Sequence, residues 1–243
     1  MNTTSPGHPL IAELPDLLPA EHIVRINTPK EDIGSTRSYE WNGWTFRVPP
    51  GVFTPGATSR MVHERLLDGR IAVRGLVYAA MGVGLGVEAV AAGVAGAAKV
   101  HALDVHAPSV ECAAEHFAEF VAAGGELVPG VGDLFDPVPD GERLDVVTFN
   151  PPAVSQRVSD DPDVVRNVCE GAVIVTRFFD QLVERDLLAE GGRVYVALSN
   201  TADLRAIVSH AVHIGLSPAL EHRHDWEDGV VTHVFRFTRA VTA

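Results

Sequence analysis

Lysine is nearly absent: Lys30 and Lys99 are the only two among 19 basic residues, set against 32 acidic ones. The formal net charge of −13 offers no general basic face. Binding along a nucleic-acid backbone depends on neutralising phosphates, so composition argues against nucleic acid as a partner. Cysteine is scarce too. Cys112 and Cys169 lack metal-ligand spacing and both fall in stretches of helical pattern. That excludes a disulfide scaffold and fits two thiols in a reducing compartment. No apolar run approaches the roughly 18 residues of a membrane span. The N-terminus has no basic region followed by an apolar core. The expectation is a cytoplasmic protein with no membrane attachment. Internal repeats and low-complexity tracts are also missing.

What is present suffices for one α/β domain with a small appendage: 243 residues, 46% of them hydrophobic. Abundant Ala, Val and Gly, with Arg in place of Lys, point to a high-GC bacterial genome. The chain is organised around residues 77–104. An apolar run over 75–80 reads as a buried strand. Gly82, Gly84 and Gly86 follow at alternate positions, then an alanine-rich helical stretch to Ala92, then an apolar run over 100–103 that stops at Asp104. Strand, glycine turn, helix, strand and acid make a βαβ unit with a nucleotide-binding layout. Glycine lets the backbone approach a ligand where a Cβ would collide. The acid stands where a carboxylate accepts from two ribose hydroxyls. Glu88 is the nearest competing acid, and its place inside the first helix predicts that it points away.

Upstream, residues 1–30 carry five prolines. They read as an extension that wraps the domain or caps the site, with a short helix over 10–18 broken at Pro15 and about eight mobile residues at the start. Asn42-Gly43 predicts a hairpin over 39–48. A helix over 60–67 follows. Thr58 and Ser59 read either as its N-caps or as a turn over the amino-acid end of a cofactor. Downstream, the periodicity predicts a helix over 107–123 ended by Gly124-Gly125, and strands over 126–131 and 144–149. The second strand ends in Asn150-Pro151-Pro152-Ala153. A loop to 163, one long helix over 165–188 and a Gly191-Gly192 turn come next. A strand over 194–198, a helix over 204–214 and a hairpin of 221–226 with 230–238 complete the chain.

Alternating strands and helices predict a mostly parallel sheet covered on both faces. Ligands bind such sheets beyond the carboxyl ends of the strands, at the switch point in strand order. Gly82, Asp104, Asp133 and Asn150 each stand at such an end, so four strands aim polar groups at one crevice.

This order resembles the class I S-adenosylmethionine (SAM)-dependent methyltransferases over about residues 40–243. The Asn150-Pro151-Pro152 ending resembles the Asn-Pro-Pro-aromatic signature of a subgroup that methylates amide or ring nitrogens. That subgroup includes protein-glutamine, adenine and ribosomal RNA enzymes. WNGWTFRVPPGVFTPGATSRMV over 41–62 and CEGAVIVTRFFDQLVERDLLAEGGRVYVALS over 169–199 are similar to its glutamine and ribosomal RNA members. The resemblance implies a Rossmann-like, mostly parallel seven-stranded sheet with a C-terminal antiparallel hairpin. It implies a SAM-binding domain over 71–243 and an N-terminal extension over 1–70 with a hairpin and a lid helix. It further implies that Gly82, Gly84 and Gly86 pass under the methionine and ribose portion of SAM. Asp104 would hold the ribose hydroxyls and Val105 would touch the adenine. Asp133 would accept from the adenine amino group, with Leu134 beside the ring. Asn150 would accept from a substrate N–H through its side-chain oxygen, together with the carbonyl of Pro151.

Two positions depart from the family pattern. Ala80 stands where the family has an acid two residues before the first glycine, so the ammonium of the methionine part is held differently or takes part in the chemistry. Ala153 replaces the aromatic, which leaves a wider pocket without a stacking surface. With the negative charge, the missing aromatic argues against a nucleic-acid base as the acceptor. The leading expectation is methyl transfer to a nitrogen of a small molecule in bacterial specialised metabolism, while Ala80 and Ala153 keep a non-methylating reaction open. Two alternatives stay open within the fold. One is cyclisation of SAM to a small cyclic amino acid (azetidine-2-carboxylate or 1-aminocyclopropane-1-carboxylate) with release of methylthioadenosine. The other is protein or RNA N-methylation. No general base and no metal site are read; His222, His224 and Asp225 come nearest to the latter. A homodimer contact through the extension is a further expectation.

Overall fold

Proline decides where the N-terminal segment is helical. In the computed structural model, which describes residues 8–27, 33–122 and 125–240, α1 (Pro9–Glu13) and α2 (Ala20–Ile26) flank an extended stretch that holds Pro15 and Pro19. The mobility expected of the start falls on residues 1–7, outside the described residues. The helix expected over 107–123 ends at Phe120, with Val121 extended at its C-cap, ahead of the expected stop at Gly124-Gly125. Leu14 and Ile23 are buried. Arg205 donates to the Leu14 carbonyl at 2.6 Å, and the Leu18 N–H donates to the Asn200 carbonyl at 2.9 Å. The segment is thus strapped onto the domain at both ends of the stretch.

Asn42 and Gly43, at φ 53° and 79°, turn β1 (Arg37–Trp41) back onto β2 (Trp44–Val48) as a separate two-stranded sheet. Helix α3 (Ala57–Leu67) begins three residues before the expected start. Gly56 occupies its N-cap without a side-chain bond. Thr58 and Ser59 therefore lie in the first turn and do not cap the helix.

The remaining elements are β3 (Val77–Met81), α4 (Val87–Val94), β4 (Lys99–Asp104), α5 (Ala107–Phe120), β5 (Glu126–Val131) and β6 (Leu144–Phe149). After them come α6 (Pro162–Val168), α7 (Ala172–Glu184), β7 (Leu188–Ser199), α8 (Leu204–His213), β8 (Leu216–Asp225) and β9 (Val231–Arg239). The seven-stranded sheet runs β5-β4-β3-β6-β7-β9-β8, with β9 antiparallel to both neighbours. This is the expected α/β architecture with its closing hairpin. From β3 the chain builds outward on one side, then returns to build on the other, so the switch point lies between β3 and β6. Residue alternation along these strands serves two cores. Ala79, Met81, Val147 and Phe149 pack with Phe178 and Leu182 of α7, whereas Tyr78, Ala80 and Val146 pack with residues of α3, α4 and α5.

Two expectations are corrected. The single helix over 165–188 is two helices, broken at Cys169-Glu170-Gly171 with Gly171 at φ 70°. The Pro152 carbonyl accepts from the N–H groups of Glu170 (2.7 Å) and Gly171 (3.2 Å), so those donors leave the helical ladder. Strand β7 starts at Leu188, not at 194, because Gly191-Gly192 form a bulge. Pairing with β6 jumps from Leu144↔Leu188 to Val146↔Arg193. Among the described residues, no helix is long and apolar enough to cross a membrane.

Candidate active site at the carboxyl ends of the strands

A cavity of about 760 Å³ opens beyond the carboxyl ends of β3, β4, β5 and β6. Gly82, Gly84, Asp104, Val105, Asp133, Leu134, Asn150 and Pro151 all line it, and so do Phe53, Ser59 and His63 from the N-terminal part. The structure therefore brings the expected residues together, with one exception. Gly86, at φ 87°, is not among the lining residues. A Cβ on it would stand 2.6 Å from the Ala113 Cα, so Gly86 serves the close packing of α4 on α5. Gly84, at φ 49°, differs: the nearest atom to an added Cβ is the Gly82 carbonyl oxygen at 3.9 Å, which leaves open space over that residue.

The Asp104 carboxylate braces this loop. Its Oδ2 accepts from the Gly84 N–H at 3.0 Å and its Oδ1 from the His106 N–H at 2.9 Å. Each carboxylate oxygen has a second lone pair, so capacity remains on the cavity side. Asp133, two residues beyond β5, forms an ion pair with Arg177 of α7. Leu134 holds a positive φ of 52° and is buried, whereas Val105 is 57% exposed at the mouth.

At the end of β6, the Asn150 side-chain N–H donates to the Ser59 hydroxyl at 2.9 Å. Ser59 is buried in the first turn of α3. With the amide nitrogen held there, the amide oxygen is left as the acceptor. The Pro151 carbonyl already accepts from the Ala153 N–H at 2.8 Å, so it has one lone pair to offer. Ala153 is buried on the cavity wall and bridges Cys169.

Glu88 overturns its expectation. It lines the cavity, and its Oε2 accepts from the Thr148 hydroxyl at 2.5 Å. Since that hydroxyl has one proton, the Tyr78 hydroxyl, 2.5 Å from Thr148, is the donor in the next link. Burial and the Glu88 charge push the Tyr78 phenol well above its ordinary pKa, against the Thr148 hydrogen bond. The Glu88 Oε1 lies 3.6 Å from His63 Nε2. Helical side chains lean toward the N-terminus, which swings an acid in the first turn of α4 back over the sheet edge. An acid two residues into the helix after the glycine loop is the sequence signal for it. Ser59, His63, Thr148 and Tyr78 carry no such local signal.

No protein-family model and no curated protein matches the chain. Solved structures match it by fold. The ribosomal protein L11 methylase of Lactobacillus delbrueckii subsp. bulgaricus superposes with a TM-score of 0.56 at 18% identity, over 80% of this chain and 84% of that one. The E. cuniculi Mtq2-Trm112 complex, which methylates the translation termination factor eRF1, gives 0.56 at 17% identity over 78% and 99%. A tRNA methyltransferase of M. jannaschii gives 0.60 at 14% identity over 85% of this chain and 57% of its own length. The fold is that of the class I methyltransferases. These neighbours correct the expectation of a small-molecule partner with nucleic acid disfavoured, since proteins of this fold act on a tRNA, a ribosomal protein and a termination factor. Net charge is an average over the whole surface and does not fix the charge at any one site.

Proposed function

We propose that this chain, with its class I methyltransferase fold, is a SAM-dependent methyltransferase acting on a nitrogen of a protein or RNA acceptor. The observation that carries the reading is Asn150. It stands at the switch point on a rigid Pro-Pro mount, its amide nitrogen held by Ser59 and its oxygen left as an acceptor beside the glycine loop.

The residues fit SAM. A cavity of about 760 Å³ suits a nucleoside-sized ligand. Gly84 leaves the space a Cβ would fill, Asp104 has lone pairs for two ribose hydroxyls, and exposed Val105 with Leu134 offers apolar surface to a purine. Asp133, oriented by Arg177, would accept from the adenine amino group. When bound, SAM supplies an electrophilic methyl group on a sulfonium. Asn150 Oδ1 accepts from the N–H of the acceptor and fixes its lone pair, aided by the free lone pair of the Pro151 carbonyl. Such positioning is worth about 7–11 kcal/mol of barrier. Val154, Val164, Val168 and Ile174 give the cavity an apolar wall. Residues 1–70 act as an extension that contributes the Ser59 and His63 side of the site.

The test is incubation with methyl-labelled SAM and separate RNA and protein fractions. Label that RNase releases and protease does not assigns an RNA acceptor; the converse assigns a protein. In either case S-adenosylhomocysteine accumulates with the acceptor. Methylthioadenosine formed from SAM alone would replace this reading with cyclisation. Absence of SAM binding in calorimetry would remove it.

A further inference from the structure

A carboxylate buried at the floor of a cavity is costly unless a positive partner or several donors compensate it. Glu88 is such a group, with its side chain 12% exposed. One of its oxygens is satisfied by Thr148, and the start of α4 lends that carboxylate a partial positive end. The other oxygen accepts from no donor among the described residues. His63 Nε2, at 3.6 Å, is beyond hydrogen-bonding reach, and the second His63 ring nitrogen is buried without a partner. Among the described residues, no lysine or arginine lies within ion-pair distance of Glu88. The floor of the cavity thus presents a fixed negative charge with an unused acceptor.

The sheet explains why the carboxylate fits there. Ala80 of β3 and Thr148 of β6 are register partners, so their side chains project from the same face side by side. Glu88 bonds Thr148, which places its carboxylate over this pair. The methyl side chain at position 80 leaves room that a longer residue would fill. The Tyr78 and Thr148 hydroxyls then hold the carboxylate in one orientation, from a strand pair buried on both faces.

We infer that Glu88 is the group that receives the ammonium of the donor's amino-acid end, reaching from helix α4 to a place where strand β3 offers only alanine. This inference rests on the SAM reading above. It makes Glu88 a binding residue, and Thr148 with Tyr78 its positioning residues.

The test compares S-adenosylhomocysteine with its analogue lacking the amino group and with methylthioadenosine, by calorimetry. In the native protein, loss of the amino group should weaken binding about tenfold or more, as for a charge-assisted hydrogen bond. Glu88→Gln, which keeps the shape and the Thr148 contact, should lose that discrimination and leave methylthioadenosine affinity unchanged. Glu88→Asp keeps the charge but shortens its reach, and should retain only part of the discrimination; it carries the comparison if Glu88→Gln does not fold. Full discrimination in either folded variant overturns the assignment of Glu88 and leaves the SAM reading standing. A native protein that binds none of the three ligands overturns both.

Discussion

At the scale of single residues, the proposed function gives Asn150 the acceptor and Asp104 the donor. Asn150→Ala should lower turnover at saturating donor about a hundredfold, the scale of one lost preorganised polar contact. Donor affinity should stay within roughly threefold, because in the proposed role the side chain serves the transition state more than the donor. Ser59→Ala releases the Asn150 amide and should cost about fivefold to tenfold in turnover. The double variant should be no worse than Asn150→Ala alone, since both act through one contact. Additive losses would separate Ser59 from Asn150, and near-normal turnover in Asn150→Ala would move the chemistry elsewhere. Asp104→Ala should weaken S-adenosylhomocysteine binding more than tenfold, from hydrogen bonds of about 1.5–3 kcal/mol each. Since Asp104 also ties down the Gly84 N–H, the melting temperature should fall as well. Unchanged affinity with an intact fold would remove the ribose assignment.

At the scale of elements, the loop between β3 and α4 holds glycines with two different tasks. Gly84→Val should abolish donor binding in a folded protein, because the branched side chain enters open cavity and sits at φ 49°. Gly86→Ala should instead destabilise the domain by about 2–3 kcal/mol, because its Cβ meets Ala113 at the α4–α5 contact. Donor affinity measured on the folded fraction should be little changed. Equal stability of Gly86→Ala and the native protein in urea unfolding would sink the packing role. The three-glycine pattern is legible in the chain; which glycine faces ligand and which faces helix is not, because that depends on where α5 lies. The break between α6 and α7 escaped the periodicity for a related reason. The captor of the Glu170 and Gly171 N–H groups is the carbonyl of Pro152, in a different loop.

For the molecule as a whole, the closing hairpin ties stability to pH. His233 on β9 is buried, stacks on Phe235 with centroids 5.4 Å apart, and has an unpartnered Nδ1. Burial first, then Arg223, pushes its pKa down to about 4. The unfolded chain, with histidine near 6.5, binds the proton more readily, so stability is full above that value. It is lost as pH falls from about 6.5 toward about 4, by on the order of 2–3 kcal/mol. His101 of β4, also lowered by burial, adds in the same direction. His233→Phe should flatten this acid limb when urea unfolding is followed between pH 7 and pH 4. An unchanged pH slope would assign the acid sensitivity to other groups.

The sequence by itself determined the alternation of strands and helices (apart from the α6–α7 break), the hairpin at Asn42-Gly43 and the rigid mount of Asn150. Each depends on local causes: apolar periodicity, the left-handed freedom of Asn and Gly, and the fixed φ of proline. It also placed Asp104, Asp133 and Asn150 at strand ends, which a parallel sheet gathers at one edge. Only the tertiary structure decided what those groups touch. Ser59 meets Asn150 across 91 residues and Thr148 meets Glu88 across 60, because β6 returns beside β3 and α3 covers the seam. Arg177 reaches Asp133 only once α7 has packed beneath the sheet. Local pattern sets which way a chain can turn; the partners of a buried polar group are set by which strands become neighbours, and that is a property of the whole fold.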